Sequence, residues 1–108
     1  CTVAERESKD NFEDAEDDVQ TAEDDLDDFQ ADLDAVKAKI TAAETAKTNS
    51  AAQTDKDKYD KEIQELKTVE NLYDDWKKDF EDFIDDLDKV ERDARSVKSD
   101  VESQCRKY

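Results

Sequence analysis

From Phe12 onward, apolar and small residues recur at Phe12, Ala15, Val19, Ala22, Leu26, Phe29, Leu33, Val36, Ile40 and Ala43. The steps alternate between three and four without a skip, the heptad spacing of a helix with one apolar seam. Carried backwards, the same spacing meets Ser8, Glu5 and Cys1. The second half repeats it at Val69, Tyr73, Trp76, Phe80, Phe83, Leu87, Val90, Ala94, Val97 and Val101. Tyr59, Ile63 and Leu66 join upstream through one three–three step, a stammer. Leu72 and Ile84 fall off this second seam.

Between the two runs lies TAKTNSAAQTD, residues 45–55, polar and without a large apolar residue. The pattern therefore predicts a helix over 2–47, a turn over 48–54 and a helix over 55–106. Thr2-Val3-Ala4-Glu5 fits a capping box for the first helix, and Thr54 is placed to cap the second.

Folding the chain at the turn makes the two seams face each other. In an antiparallel pair, facing residues have numbers with a constant total. Phe12–Ala94, Val19–Leu87, Leu26–Phe80 and Leu33–Tyr73 each total 106, whereas Ala15–Val90, Ala22–Phe83 and Phe29–Trp76 total 105. The expected fold is all-α: a long antiparallel two-helix coiled-coil hairpin, forming a single unit over 1–108. Two helices leave part of each seam uncovered, so the hairpin has room to pack into a four-helix dimer. A stripe of small residues beside the first seam, Ala31, Ala35, Ala38 and Ala42, offers one place for a further helix. The rival topology is one unbroken helix in a parallel dimer, which would stack identical acidic segments.

Composition narrows the picture. The chain of 108 residues has no Gly, Pro, His or Met, so tight turns and sheet corners lose their usual residues. Charged residues make up 47% and hydrophobic ones 34%, which by itself resembles disorder; the regular apolar spacing argues for helix instead. The net charge of −17 disfavours nucleic acid and anionic membranes, both of which call for basic patches. No apolar run approaches the ~18 residues of a membrane span. The chain begins with Cys rather than Met, which suggests a removed leader.

Cys1 and Cys105 total 106, the register set by the apolar residues. An intramolecular disulfide in a secreted protein is the expected reading; a lipidated Cys1 and two unrelated thiols are the alternatives. A disulfide closing a loop of ~100 residues contributes up to about 4.7 kcal/mol on the chain-entropy account, a useful staple for a thin core.

The charge is unevenly spread. Residues 10–36 carry thirteen acids and no base, and residues 72–93 carry ten acids against four bases. Each like pair 4 Å apart costs about 1 kcal/mol in water and more where the local dielectric falls. These acidic stretches have to be screened, protonated or neutralised. Divalent cations are the expected neutralisers, calcium first, because it accepts several oxygen ligands in flexible geometry. The candidate ligands are Asp17, Asp18, Asp24, Asp25, Asp27 and Asp28 on the first helix and Asp82, Asp85, Asp86 and Asp88 on the second. Carboxylates in rows on a helix cannot wrap an ion, so binding is expected to be weak. No EF-hand is present: Asp55-Lys56-Asp57 begins one, but the loop Gly is missing and Leu66 stands where the bidentate Glu belongs.

Chemistry beyond ion binding is not indicated. Without His, neither cysteine has the usual partner that activates a nucleophile, and no Gly-rich loop can cradle phosphate. The chain reads as no enzyme and without a resident cofactor. Tyr73, Trp76, Phe80 and Phe83, at seam spacing, are expected to be core.

The stretch ADLDAVKAKITAAETAKTNSAAQTDKDKYDKEIQELKTVENLY, residues 31–73, resembles the acidic coiled-coil matrix proteins of ciliate secretory granules, the trichocyst and mucocyst cargo. The likeness is of acidic helical pieces with a polar interruption before a helix containing Tyr and Leu. It implies packing into a condensed lattice that expands when calcium arrives, with localisation in a secretory granule or outside the cell. It implies no site residues. The function expected is therefore a structural or interaction role, through self-association or another helical protein. The alternatives are a secreted parasite or salivary-type binding module recognising a host partner, and a lipid-anchored bacterial envelope coiled coil.

Overall fold

A computed structural model describes residues 1–107. The chain is a helical hairpin of two long helices, α1 (Thr2–Asn49) and α2 (Gln53–Arg106), with no strand among the described residues. The break at Ser50–Ala52 excludes the single unbroken helix. Helix occupies 48 and 54 residues, so the connection is shorter than the polar stretch suggests.

The turn is made without glycine and without a left-handed residue: no described residue has positive φ. Helix C-termini commonly use a left-handed residue to satisfy their last carbonyls. Here Ser50 takes that role. Its N–H donates to the Lys47 carbonyl (3.2 Å) and its hydroxyl to the Ala46 carbonyl (2.8 Å). Upstream, the hydroxyls of Thr41, Thr45 and Thr48 donate to the carbonyls four residues back, which lets polar β-branched residues sit inside the last turns. Across the turn Lys47 pairs with Asp60. Both are half-exposed, so the pair contributes at most about 1 kcal/mol. Thr54 does not cap α2. The helix starts one residue earlier, with the Lys56 N–H donating to the Ala52 carbonyl (3.1 Å). Thr2 likewise lies within α1, whose first bond runs from the Glu5 N–H to the Cys1 carbonyl (2.9 Å).

The hairpin divides along its length into two compact units: unit 1, Cys1–Leu26 with Phe80–Tyr108, and unit 2, Asp27–Asp79. In unit 2 the buried residues are Leu33, Ile40, Ala43 and Ile63, and Leu33 is 1% exposed. Phe29 packs edge-on against Tyr73, with ring centroids 5.2 Å apart, and Tyr73 against Trp76 at 5.6 Å. In unit 1 the buried apolar residues are smaller: Ala15, Val19 and Ala22, with Ile84 as the large one. Ser8 is buried there too, its hydroxyl satisfied by the Glu5 carbonyl (3.1 Å).

α1 buries the face its heptads indicate: Phe12 to Ala43 at every seam position is buried or half-buried. α2 does not. Val69, Trp76, Phe83, Val90 and Val97 are all exposed, while Glu70, Lys77, Ile84, Glu91 and Lys98, one residue further on, are buried or half-buried. The working seam of α2 therefore runs Ile63, Leu66, Glu70, Tyr73, Lys77, Phe80, Ile84, Leu87, Glu91, Ala94, Lys98, Val101, Cys105. It alternates threes and fours without the stammer of the apolar pattern. A stammer overwinds a coiled coil locally, and α1 has none to match it. Keeping the two helices in step selects the unbroken seam, even though it brings charged residues to the contact. Glu and Lys tolerate this by laying their methylene stems along the partner and keeping their ends in water. In this register every facing pair totals 106, and Ala22 meets Ile84 rather than Phe83.

Candidate functional site

The cysteines come first, because one expectation fails there. The Cys1–Cys105 disulfide is not formed: both thiols are free and stand beyond disulfide distance. The reason is directional. Side chains of a helix lean towards its own N-terminus, so facing residues of an antiparallel pair lean apart. Cys1, which precedes the first turn of α1, is exposed, while Cys105 leans inward and meets the Glu5 side chain. Burial raises the Cys105 thiol above its ordinary value, and the hydrogen bond to Glu5 and the Glu5 charge add to this, with the N-terminal ammonium opposing. The protonated thiol is the favoured form in the fold. Its contribution to stability is present below the ordinary thiol range and is lost as pH rises through the elevated value. Because the thiolate is the nucleophile, Cys105 is expected to alkylate more slowly than Cys1 at about pH 8, and Glu5→Gln to narrow the gap. Peptide-level mass spectrometry after timed iodoacetamide treatment measures both rates, and equal rates would remove the Glu5 contact.

The acidic residues are exposed rows rather than a ligand shell. In unit 1, Asp17, Asp18, Asp24 and Asp25 of α1 and Asp82, Asp85 and Asp86 of α2 are exposed, and Asp88 is half-buried. Asp27 and Asp28, in unit 2, are exposed. Asp24 accepts a hydrogen bond from the Gln20 amide (3.0 Å). Among the described residues no three acidic or cysteine side chains converge as an ion would need. The density differs between the units: unit 1 holds 20 acids and 8 bases, unit 2 14 and 9.

The surface missed by the sequence pattern is on α2. Val69 is 40% exposed, and Trp76, Phe83, Val90 and Val97 are each more than half exposed. They stand seven residues apart on one helix, with Leu72 beside the first two, also exposed. Trp76 and Phe83 were expected in the core; they lie outside it. Ile84, expected off the seam, is buried. Around Phe83 the surface is concave. Phe80, Phe83 and Leu87 of α2 and Ala22 of α1 line an open apolar groove in unit 1, with Asp18 and Asp25 at its α1 rim. Phe80 and Phe83 pack edge-on, centroids 6.3 Å apart. A signal of this face in the sequence was the stammer before Val69.

Elsewhere the surface is mixed. A cleft beside the turn in unit 2 is lined by Glu44, Lys47, Lys56, Asp60 and Lys67 among others, charges of both signs that converge on no common point. The alanine stripe Ala31, Ala35, Ala38 and Ala42 is exposed. No helix among the described residues is long and apolar enough to cross a membrane. No family model, curated protein or solved structure matches the chain.

Proposed function

We propose that this protein is a non-enzymatic structural or interaction module: a secreted acidic hairpin that works by taking another helix against α2. The observation that carries this is a set of exposed apolar residues at one heptad position of α2, Phe83, Val90 and Val97 in unit 1 and Val69 and Trp76 in unit 2. Isolated exposed apolar residues are ordinary; a periodic row of them is the face of an incomplete bundle. Pairing of two hairpins through this face would give a four-helix dimer. The resemblance of residues 31–73 to ciliate granule matrix proteins supports a lattice-forming role of the same kind.

The acidic surface makes that assembly ion-dependent. Two chains of net charge −17 repel until their carboxylates are neutralised. Calcium acts here as a weakly held, shared counterion, with affinity on the order of millimolar. Unit 1 benefits most, because its core is small and its acid excess large. Millimolar calcium is expected to raise the melting temperature and to drive reversible association, beyond sodium chloride at matched ionic strength. Thermal circular dichroism and sedimentation equilibrium measure the two effects. A hairpin that stays monomeric and melts unchanged would remove the calcium-driven assembly.

The compartment has its own test. Two free thiols leave the intact mass at that of the bare chain. A lipid on Cys1 instead adds several hundred daltons, which is what the envelope-lipoprotein alternative requires.

A further inference from the structure

The groove of unit 1 also constrains what fills it. Resting on the reading of the hairpin as a helix-binding module, we infer that this groove receives a basic amphipathic helix from another protein. The floor is apolar: Phe80, Phe83 and Leu87 with Ala22, continued along α2 by Val90 and Val97. Phe83, Val90 and Val97 are 53%, 56% and 54% exposed, so an incoming helix would find the heptad knobs it needs at one spacing. The rims carry an excess of acid. On α1 they are Asp18 and Asp25, with the neutral Thr21 between them. On α2, Asp86 and Asp93 each follow a groove residue by three positions, which places them on the same side of the helix, and both are exposed.

The chain offsets these rims only in part, through Lys89, three residues after Asp86 and four before Asp93 on α2. No Lys or Arg occurs between Lys9 and Lys37, so α1 brings no base to this stretch of the edge. The ion-paired bases of unit 1 are engaged elsewhere: Lys9 with Glu13, Arg95 with Glu91 and Lys98 with Glu102. Arg95 and Lys98 lie over the Phe12 ring, 5.3 and 5.8 Å from its centroid. Lys98 follows Val97 by one residue, about 100° round the helix, and sits in the seam over Phe12. An apolar floor between two carboxylate rims matches a helix with a Leu-type stripe flanked by Lys or Arg, the helix-in-groove mode of recognition. A second copy of this chain is the poorer fit while the carboxylates are ionised. It would bring its own Asp86 and Asp93 against these rims, and like charges across an interface oppose binding.

The test uses the whole protein in calcium-free buffer. The probe is a labelled synthetic helix of about three heptads, with Leu at a and d and Lys or Arg at e and g. Its control has Glu at e and g. Fluorescence anisotropy is expected to report binding of the basic helix, at least about tenfold tighter than the acidic one and weaker as salt rises. Phe83→Ser with Val90→Ser is expected to weaken it about tenfold or more, as removal of central apolar anchors does. Both residues are exposed, so circular dichroism of the variant should match the parent. Asp18→Asn, Asp25→Asn and Asp86→Asn together should weaken it comparably. A photo-crosslinker at a peptide a position should mark Phe83 or Leu87 in the unmodified protein, a readout independent of any variant.

Basic-helix binding indifferent to Phe83→Ser and Val90→Ser would mean charge alone, and would overturn the inference. Equal binding of the acidic helix would do the same. Calcium-free self-association abolished by Phe83→Ser would give the groove to a second copy, overturning the inference while leaving the helix-binding module intact. Absence of both peptide binding and self-association, with and without calcium, would remove the module as well.

Discussion

Leu33→Ala is expected to lower the stability of the hairpin by about 3 to 4 kcal/mol. Leu33 is the most deeply buried large side chain, 1% exposed, in unit 2. Removing three carbons there forfeits their transfer free energy and leaves a cavity. Half-buried Tyr73 in the same layer and Phe29 and Val36 in the neighbouring ones have limited freedom to close over the gap. Typical domains have only about 5 to 15 kcal/mol in total, so a loss of this size takes a large share. The melting temperature should fall by more than about 10 °C for a chain of this length. Urea unfolding followed by far-UV circular dichroism measures the difference. Leu72→Ala is the control: Leu72 is 47% exposed, and its removal should cost less than about 0.5 kcal/mol. If the two variants melt alike, Leu33 is not at the centre of the contact and the register of unit 2 is wrong.

The fold was largely legible because α1 is strict. Every step from Phe12 to Ala43 is a three or a four, and between Glu13 and Asp28 most positions off the seam are Asp or Glu, so no competing apolar face exists there. The hairpin followed from the numbering of facing residues. α2 was harder for a physical reason. It carries apolar residues at adjacent positions, Phe83 with Ile84 and Leu72 with Tyr73, so its hydrophobicity spreads over a face wider than one partner covers. Counting the largest residues picks Trp76 and Phe83, whereas continuity of spacing picks Lys77 and Ile84. Continuity governs, because a break in spacing puts α2 out of step with the unbroken heptads of α1, whereas a charged seam residue can lay its stem along the contact and keep its end in water. Three pairs totalling 105 instead of 106 were the numerical trace of the same choice. The missing disulfide has a related origin. A register places backbone positions in layers, while the lean of side chains decides which atoms meet, and in the last layer that turned Cys105 towards Glu5.

That choice of seam is what Ile84→Ala and Phe83→Ala decide together. Ile84 is 8% exposed and is the large buried aliphatic of unit 1, set among Ala15, Val19 and Ala22. Its truncation is expected to cost about 2 to 4 kcal/mol. Phe83, the larger side chain and the immediate neighbour, is 53% exposed, and Phe83→Ala should cost less than about 1 kcal/mol in the isolated hairpin. On size alone the order would be reversed, because an aromatic ring removes more apolar surface than a butyl group. Urea midpoints of the two variants at equal m-value give the ranking directly. A costlier Phe83→Ala would return the seam to Val69, Trp76 and Phe83, place Ile84 in solvent, and leave α2 with no uncovered face. With the expected ranking the asymmetry has a second consequence. A residue that contributes little to folding yet stays aromatic and exposed at a heptad position contributes mainly when a partner is present. The cost of Phe83→Ala should then grow once the basic helix is bound, while that of Ile84→Ala stays as it was.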